Sequence, residues 1–305
     1  MLELLFFSTG SLLATFDPFY SSSRKPGFPR LFSFYDLHRL DGYAIFPFMS
    51  NYYSDPAISH SMLKHMAKSP AHFKAELERP NVQTDAMLLG SLVHAMVLEP
   101  HVVEPNYLRA EKVDRRTKEG KAQWAAMQSE DKTLVKAEVW ETAERMAESV
   151  LDCGVASSLV MEAAAMNKIE VEFKWNDNRF GVERKSKVDG ITDHTIVDLK
   201  TTTDATRGFD RSIVKYWYHT QAAYYRDALA SAGMSRSLFT IIAVEKTPPY
   251  AVAIVRMDDD VMDWGKEIVD NWLDQLRSCK ASQRYPSFTG VRYFNKPAWA
   301  EERND

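Results

Sequence analysis

Three closely spaced segments with a two-residue hydrophobic period lie between stretches with a helical period, and they constrain the fold of this 305-residue chain most. Residues 169–175, IEVEFKW, alternate; the turn-forming NDNR follows; FGVERKSKV at 180–188 and TIVDLKT at 195–201 complete the set. Such short connections make consecutive strands antiparallel neighbours, so the three form a meander. Two more strands are expected at 238–245 and 250–256, joined through TPP. Two short helices are expected within 59–78, one capped by Ser59 or Ser61, the other by Ser69 ahead of Pro70. Residues 85–98 predict an almost wholly apolar, buried helix whose one titratable interior residue is His94. Helical spacing returns at 133–152, at 212–232, where Gly233 stops it, and at about 259–277. The charged stretch 109–123, RAEKVDRRTKEGKAQ, predicts an exposed arm.

Composition narrows the function classes. With 45% hydrophobic residues a sizeable core can be buried, and 38 basic against 42 acidic residues leave a net charge of −4. The molecule as a whole is therefore no polycation, and any contact with nucleic acid must come from local basic patches. Cys153 and Cys279 lie far apart, which argues against a disulfide framework or a cysteine-rich zinc site and fits a reducing cytoplasm. No apolar run reaches the roughly 18–20 residues that span a bilayer. The opening MLELLFFSTGSLLATF makes a poor secretory signal because Glu3 stands where a basic region is expected. Residues 1–48 are expected to be a leader outside the fold, with the biological start at Met49. Residues 49–160 are then a helical flank and 161–305 the sheet-bearing core, together one compact domain.

Chemistry concentrates in the meander. Asp198 and Lys200 are two apart on a strand and share a face, while Asp189 ends the neighbouring strand, so the two aspartates can converge. Carboxylate oxygens are hard ligands suited to Mg²⁺ or Mn²⁺. An ammonium beside them suits phosphodiester hydrolysis, in which charge develops on the scissile phosphate. A DxK on a strand is in general an exposed ion-pair face, but Asp198 follows the apolar Ile196 and Val197, and a buried unpaired carboxylate is costly. Glu170 on the preceding strand offers a third acid, with Glu172 on the same face by alternation. Gln221 and Tyr225 are four apart on one helix face, an amide and a phenol able to hold a nucleotide or phosphate. Arg115 and Arg116 in the arm, and Arg184 and Lys187 near Asp189, are candidate phosphate contacts. The aromatic residues Tyr216, Trp217, Tyr218 and Tyr224 are candidates either for base stacking or for core.

Taken in order, DPAISHSMLKHMAKSPAHF, GSLVHAMVLEP, RRTKEGK, EVEFKW, the KVDG and IVDLKTT pair, and YHTQAAYY resemble the RecE-type exonucleases of the PD-(D/E)xK superfamily. The resemblance covers about residues 52–256. It implies an α/β fold with a mixed central sheet flanked by helices and an N-terminal helical flank. It implies that His94, Asp189 and Asp198 hold the metal, that Lys200 is the catalytic lysine, that Glu170 is the acidic strand residue, and that Gln221 and Tyr225 form a QxxxY motif. The implied activity is 5′→3′ hydrolysis of linear double-stranded DNA from its ends, leaving 3′ single-stranded tails for an annealing protein of RecT type. A ring-shaped homo-oligomer is implied as well. Two alternatives stand beside it: a Cas4-like or RecB-like nuclease acting on single-stranded ends, and a catalytically silent DNA-binding subunit. The absence of four cluster-binding cysteines speaks against an iron–sulfur Cas4 type.

Overall fold

A computed structural model describes residues 52–80, 82–110, 116–128, 131–288, 290, 291 and 293–295. The expected leader, residues 1–48, lies outside the described residues.

In the flank, α1 (His60–Leu63) is capped by Ser59, whose hydroxyl accepts from Met62 N, and runs into a 3₁₀ turn. Ser69 caps α2 (Pro70–Leu77), with Pro70 at its first turn. Thr84 caps α3 (Asp85–Leu98), which carries His94. After α4 (Val103–Asn106), the short strands β1 (Tyr107–Arg109) and β2 (Thr133–Val135) pair in parallel around α5 (Lys118–Gln128). The arm is therefore helical from Lys118. Its start signal is Thr117, whose side chain accepts from Gly120 N at 2.9 Å. Two further helices, α6 (Ala137–Asp152) and α7 (Gly154–Ala165), lead into the sheet. No element is expected over 153–168; α7 buries Ala156, Leu159, Val160 and Ala163 along one face, but Val155 and Met161 outside that stripe are apolar too and exposed, so the contrast between its faces is weak.

The sheet has five strands in the order β3 (Ile169–Asp177), β4 (Val182–Ile191), β5 (Thr195–Thr202), β6 (Leu238–Glu245), β7 (Val252–Met257). The meander β3–β4–β5 is antiparallel, β5 and β6 run parallel across a helical crossover, and β6–β7 is antiparallel, so the sheet is mixed. The crossover is two helices where one is expected: α8 (Phe209–Lys215) and α9 (Tyr218–Ser231), broken at Trp217, whose φ is +64°. The chain continues into α10 (Asp259–Ser282).

Apolar side chains alternate across the sheet into two cores. Ile196, Phe239, Ile241 and Ala243 pack with α9 and α10 through Tyr224, Tyr225, Leu229 and Trp272. Val197, Leu199, Ile242 and Val244 pack on the other side with α3, α6 and α7. This strand period places Asp198 and Lys200 on the α9 side and the Leu199 side chain on the α3 side.

Candidate active site

The site lies where the meander comes apart. β4 and β5 are hydrogen-bonded only at Gly190–Val197 and Ile191–Ile196, after which the strands separate. Further along, the edge of β4 away from β3 is taken instead by Ile58, whose N–H donates to Glu183 O and whose carbonyl accepts from Lys185 N, both at 2.9 Å. Between these two pairings the strands leave an opening.

Backbone groups of Leu199 freed from the ladder organise one half of the site. Leu199 N donates to Asp189 Oδ2 at 2.7 Å, and its carbonyl is 2.8 Å from His94 Nε2. A carbonyl only accepts, so Nε2 carries the proton, and the lone pair of the neutral ring sits on Nδ1. Nδ1 faces Asp189 Oδ2 at 3.6 Å and Glu170 Oε1 at 3.9 Å. His94, Glu170 and Asp189 thus bring donor atoms within 4.8 Å of one another. Glu170 reaches this position with a φ of +52°, an uncommon backbone conformation for a residue with a side chain, held while Lys187 Nζ pairs with its Oε2 at 2.7 Å. Strand alternation leaves Glu170 and Glu172 equivalent; the structure selects Glu170.

The other half stands on β5 and α9. Asp198 is fully buried, its Oδ1 accepting from Gln221 Nε2 at 2.9 Å, and the same Nε2 lies 2.9 Å from Tyr225 Oη. Lys200 Nζ is 2.6 Å from Asp198 Oδ2, an ionic contact off the hydrogen-bonding direction, so Oδ2 has no hydrogen-bond partner. Gln221 and Tyr225 therefore hold the Asp198 carboxylate in place.

Electrostatics couple the two halves. Burial pushes the Asp189 carboxyl up to about 7, against the pull of His94, with Asp198 and Glu170 pushing the same way as burial. For His94, burial disfavours the cation, but Asp189 and Glu170 outweigh it and raise the imidazole to about 9. Lys200 is likewise opposed by burial, yet Asp198 and Asp189 raise it, so its ammonium stays charged. Burial also opposes ionisation of Glu170, but His94 and Lys187 win and hold its carboxyl below the usual value.

The donor set fits a divalent cation. A protein that sets two acids, Glu170 and Asp189, against one imidazole and fixes that imidazole through a backbone carbonyl has the ligand chemistry such an ion requires. His94, Glu170 and Asp189 form the compact group; Asp198 stands beside them, engaged by Lys200 and Gln221.

The candidate phosphate contacts are placed unequally. Arg184 is 1% exposed, its Nη1 hydrogen-bonded to Asp177 Oδ2 at 2.8 Å and Asp227 Oδ2 at 2.9 Å, with its guanidinium over Trp175 and Tyr224. Enclosed in this way it cannot meet DNA, and its expected role is corrected to a structural one. Lys187 is partly exposed and bound to Glu170. Arg116 is exposed in the arm, while Arg115 lies outside the described residues. Of the aromatic candidates Tyr224 is core and Tyr216 is about half exposed.

Comparison with known proteins agrees with this architecture. Residues 59–294 match the family model described as PDDEXK-like domain of unknown function (DUF3799). No curated protein matches. Among solved structures, a Eubacterium rectale protein provisionally described as an exonuclease superposes with a TM-score of 0.56 at 15% identity, over 87% of this chain and 100% of its own. Another, described as SSO0001, covers 62% of this chain and 86% of its own at 14% identity, with a TM-score of 0.27 that supports no comparison. The family model spans well over half of the sequence, and the chain belongs to the PDDEXK-like DUF3799 family.

Proposed function

We propose that this protein is a metal-dependent deoxyribonuclease that removes nucleotides from the ends of linear double-stranded DNA, 5′→3′, leaving 3′ single-stranded tails. The observation that carries this reading is the opening between β4 and β5, where His94, Glu170 and Asp189 gather beside Asp198 and Lys200. His94, Glu170, Asp189 and Asp198 would hold Mg²⁺ or Mn²⁺, which when bound supplies positive charge to a phosphate and makes water a stronger acid.

The chain's own residues do the remainder. Lys200 keeps its proton despite burial and presents an ammonium beside Asp198, where negative charge on a phosphate oxygen can be offset. Gln221 fixes the Asp198 carboxylate, and Tyr225 in turn fixes Gln221. The Leu199 carbonyl holds the His94 tautomer that leaves Nδ1 free to act as a ligand. The strand polarity, the duplex substrate, a ring-shaped homo-oligomer, a cytoplasmic setting and an annealing partner of RecT type rest on the RecE-type resemblance of the motifs.

The test is degradation of linear duplex and single strands carrying a label at the 5′ or the 3′ end, with Mg²⁺ or with EDTA. Early release of the 5′ label from duplex, with Mg²⁺ only, is expected. Release from single strands alone favours the RecB-like alternative, and intact DNA in every lane removes the enzyme reading.

A further inference from the structure

On the α9 side of the same opening lies a cavity of about 310 Å³ lined by Ser59, Ser61, Lys64, Ser186, Lys200 and Tyr218, among others. It is lined by two lysines and three serine hydroxyls, and none of the residues lining it is acidic. Lys200 has Asp198, but Lys64 makes no ion pair with any described residue. The half-buried Lys64 ammonium is disfavoured first by burial and then by the like charge of Lys200, against a weaker pull from Glu76. An anion between the two cations relieves that repulsion.

A second observation points into the same space. Ser186, which also lines the cavity, is 1% exposed and its Oγ has no hydrogen-bond partner, a cost that a ligand oxygen reaching it would remove. The volume is at the low end of the roughly 300–1,000 Å³ of small-ligand pockets, room for one nucleotide and not for a duplex. Tyr216 and Tyr218, which also line it, offer aromatic surface at its rim.

We propose that this cavity seats one deoxynucleoside monophosphate, the product of end-wise cleavage, with its phosphate monoester between Lys64 and Lys200 and its base against Tyr216 and Tyr218. The identity of the occupant rests on the nuclease reading above; the anion seat rests on Lys64, Ser186 and the absence of acids from the lining. Lys200 belongs to both sites, so a nucleotide held here stays in contact with the reacting centre and inhibits further turnover.

The experiment is calorimetric titration of the metal-free protein, in EDTA, with deoxyadenosine 5′-monophosphate, deoxyadenosine and inorganic phosphate. Duplex degradation in Mg²⁺ is measured separately. The monophosphate is expected to bind, the nucleoside not measurably, and phosphate more weakly. Lys64→Ala should weaken monophosphate binding roughly tenfold or more, and Lys64→Arg should keep most of it. Ser186→Ala should weaken binding while leaving the melting temperature of the free protein no lower, since it removes an unsatisfied buried hydroxyl; unchanged binding in this variant takes Ser186 out of the seat. Equal binding by wild type and Lys64→Ala, or no binding by wild type, overturns the seat, and phosphate binding as tightly as the monophosphate overturns the nucleotide. A wild type that degrades duplex but does not bind the monophosphate loses this seat and keeps its proposed function. The reverse pattern keeps an anion seat and removes the nuclease reading.

Discussion

The charge of Arg184 is consumed inside the protein by Asp177 and Asp227, and its flat guanidinium is covered by Trp175 and Tyr224. Arg184→Met strands two carboxylates around an apolar side chain. It is expected to destabilise the fold by roughly 3–5 kcal/mol in urea unfolding, as removal of one member of a buried ion pair does. A phosphate ligand would instead leave stability unchanged and weaken the salt dependence of DNA binding. Gln221→Ala leaves Asp198 Oδ1 without its donor and is expected to lower kcat with little change in KM, measured on end-labelled duplex. At this scale the sequence exposes Asp189, Asp198 and Lys200, because a two-residue period fixes their faces and burial of an acid demands a reason. It does not show that Arg184 is spoken for, since Asp227 lies 43 residues away on another element. Alternation alone leaves Glu170 and Glu172 equivalent, and only the family resemblance separates them; the positive φ at Glu170 is marked by no glycine.

Elements show the same division. Strand β6 and helix α3 coincide with their expected bounds, but α3, expected to be buried along its length, fully buries only Leu92, Val93, Ala95, Val97 and Leu98 and leaves Met87 exposed. The expected single helix over 212–232 breaks because Trp217 adopts a left-handed conformation while its indole packs edge-on against Trp272, 5.1 Å between centroids. The break matters for the site, since it starts α9 afresh at Tyr218 and orients Gln221 and Tyr225. Helices α9 and α10 approach closely at Gly265, where an added Cβ would stand 2.2 Å from the His219 carbonyl oxygen. Gly265→Ala is therefore expected to force the helices apart and cost about 1–3 kcal/mol, read as a lower urea midpoint. Because α9 carries Gln221, cleavage should fall in the same variant under conditions where it remains folded. An isolated Gly in a helix is visible in the sequence, but the backbone that it admits is not.

For the whole molecule the consequence is a linkage between protons, metal and stability. In the metal-free protein Asp189 titrates at about 7 and His94 at about 9, both raised above their unfolded values near 3.9 and 6.5. A raised group stabilises fully below its unfolded value and loses that contribution as pH climbs through its folded one, so both lose theirs between about pH 4 and 9. Cations bind the carboxylate and the neutral imidazole, the forms that appear over this same range. The rise in melting temperature on adding Mn²⁺ to EDTA-treated protein is expected to be larger at pH 8.5 than at pH 6, and to be largely lost in His94→Ala. An equal rise at both pH values, or an unchanged rise in His94→Ala, would take His94 out of the ligand set.

The centre itself is tested by one comparison: single-turnover degradation of end-labelled linear duplex in Mg²⁺ by wild type and by Lys200→Ala, each shown to be folded by circular dichroism. Wild type should release labelled nucleotide, and the variant should bind the same DNA while releasing it at least a hundredfold more slowly, on the order expected for loss of one preorganised charge at a reacting phosphate. A folded Lys200→Ala protein that cleaves as fast as wild type would contradict the assignment of this opening as the place where the phosphodiester breaks.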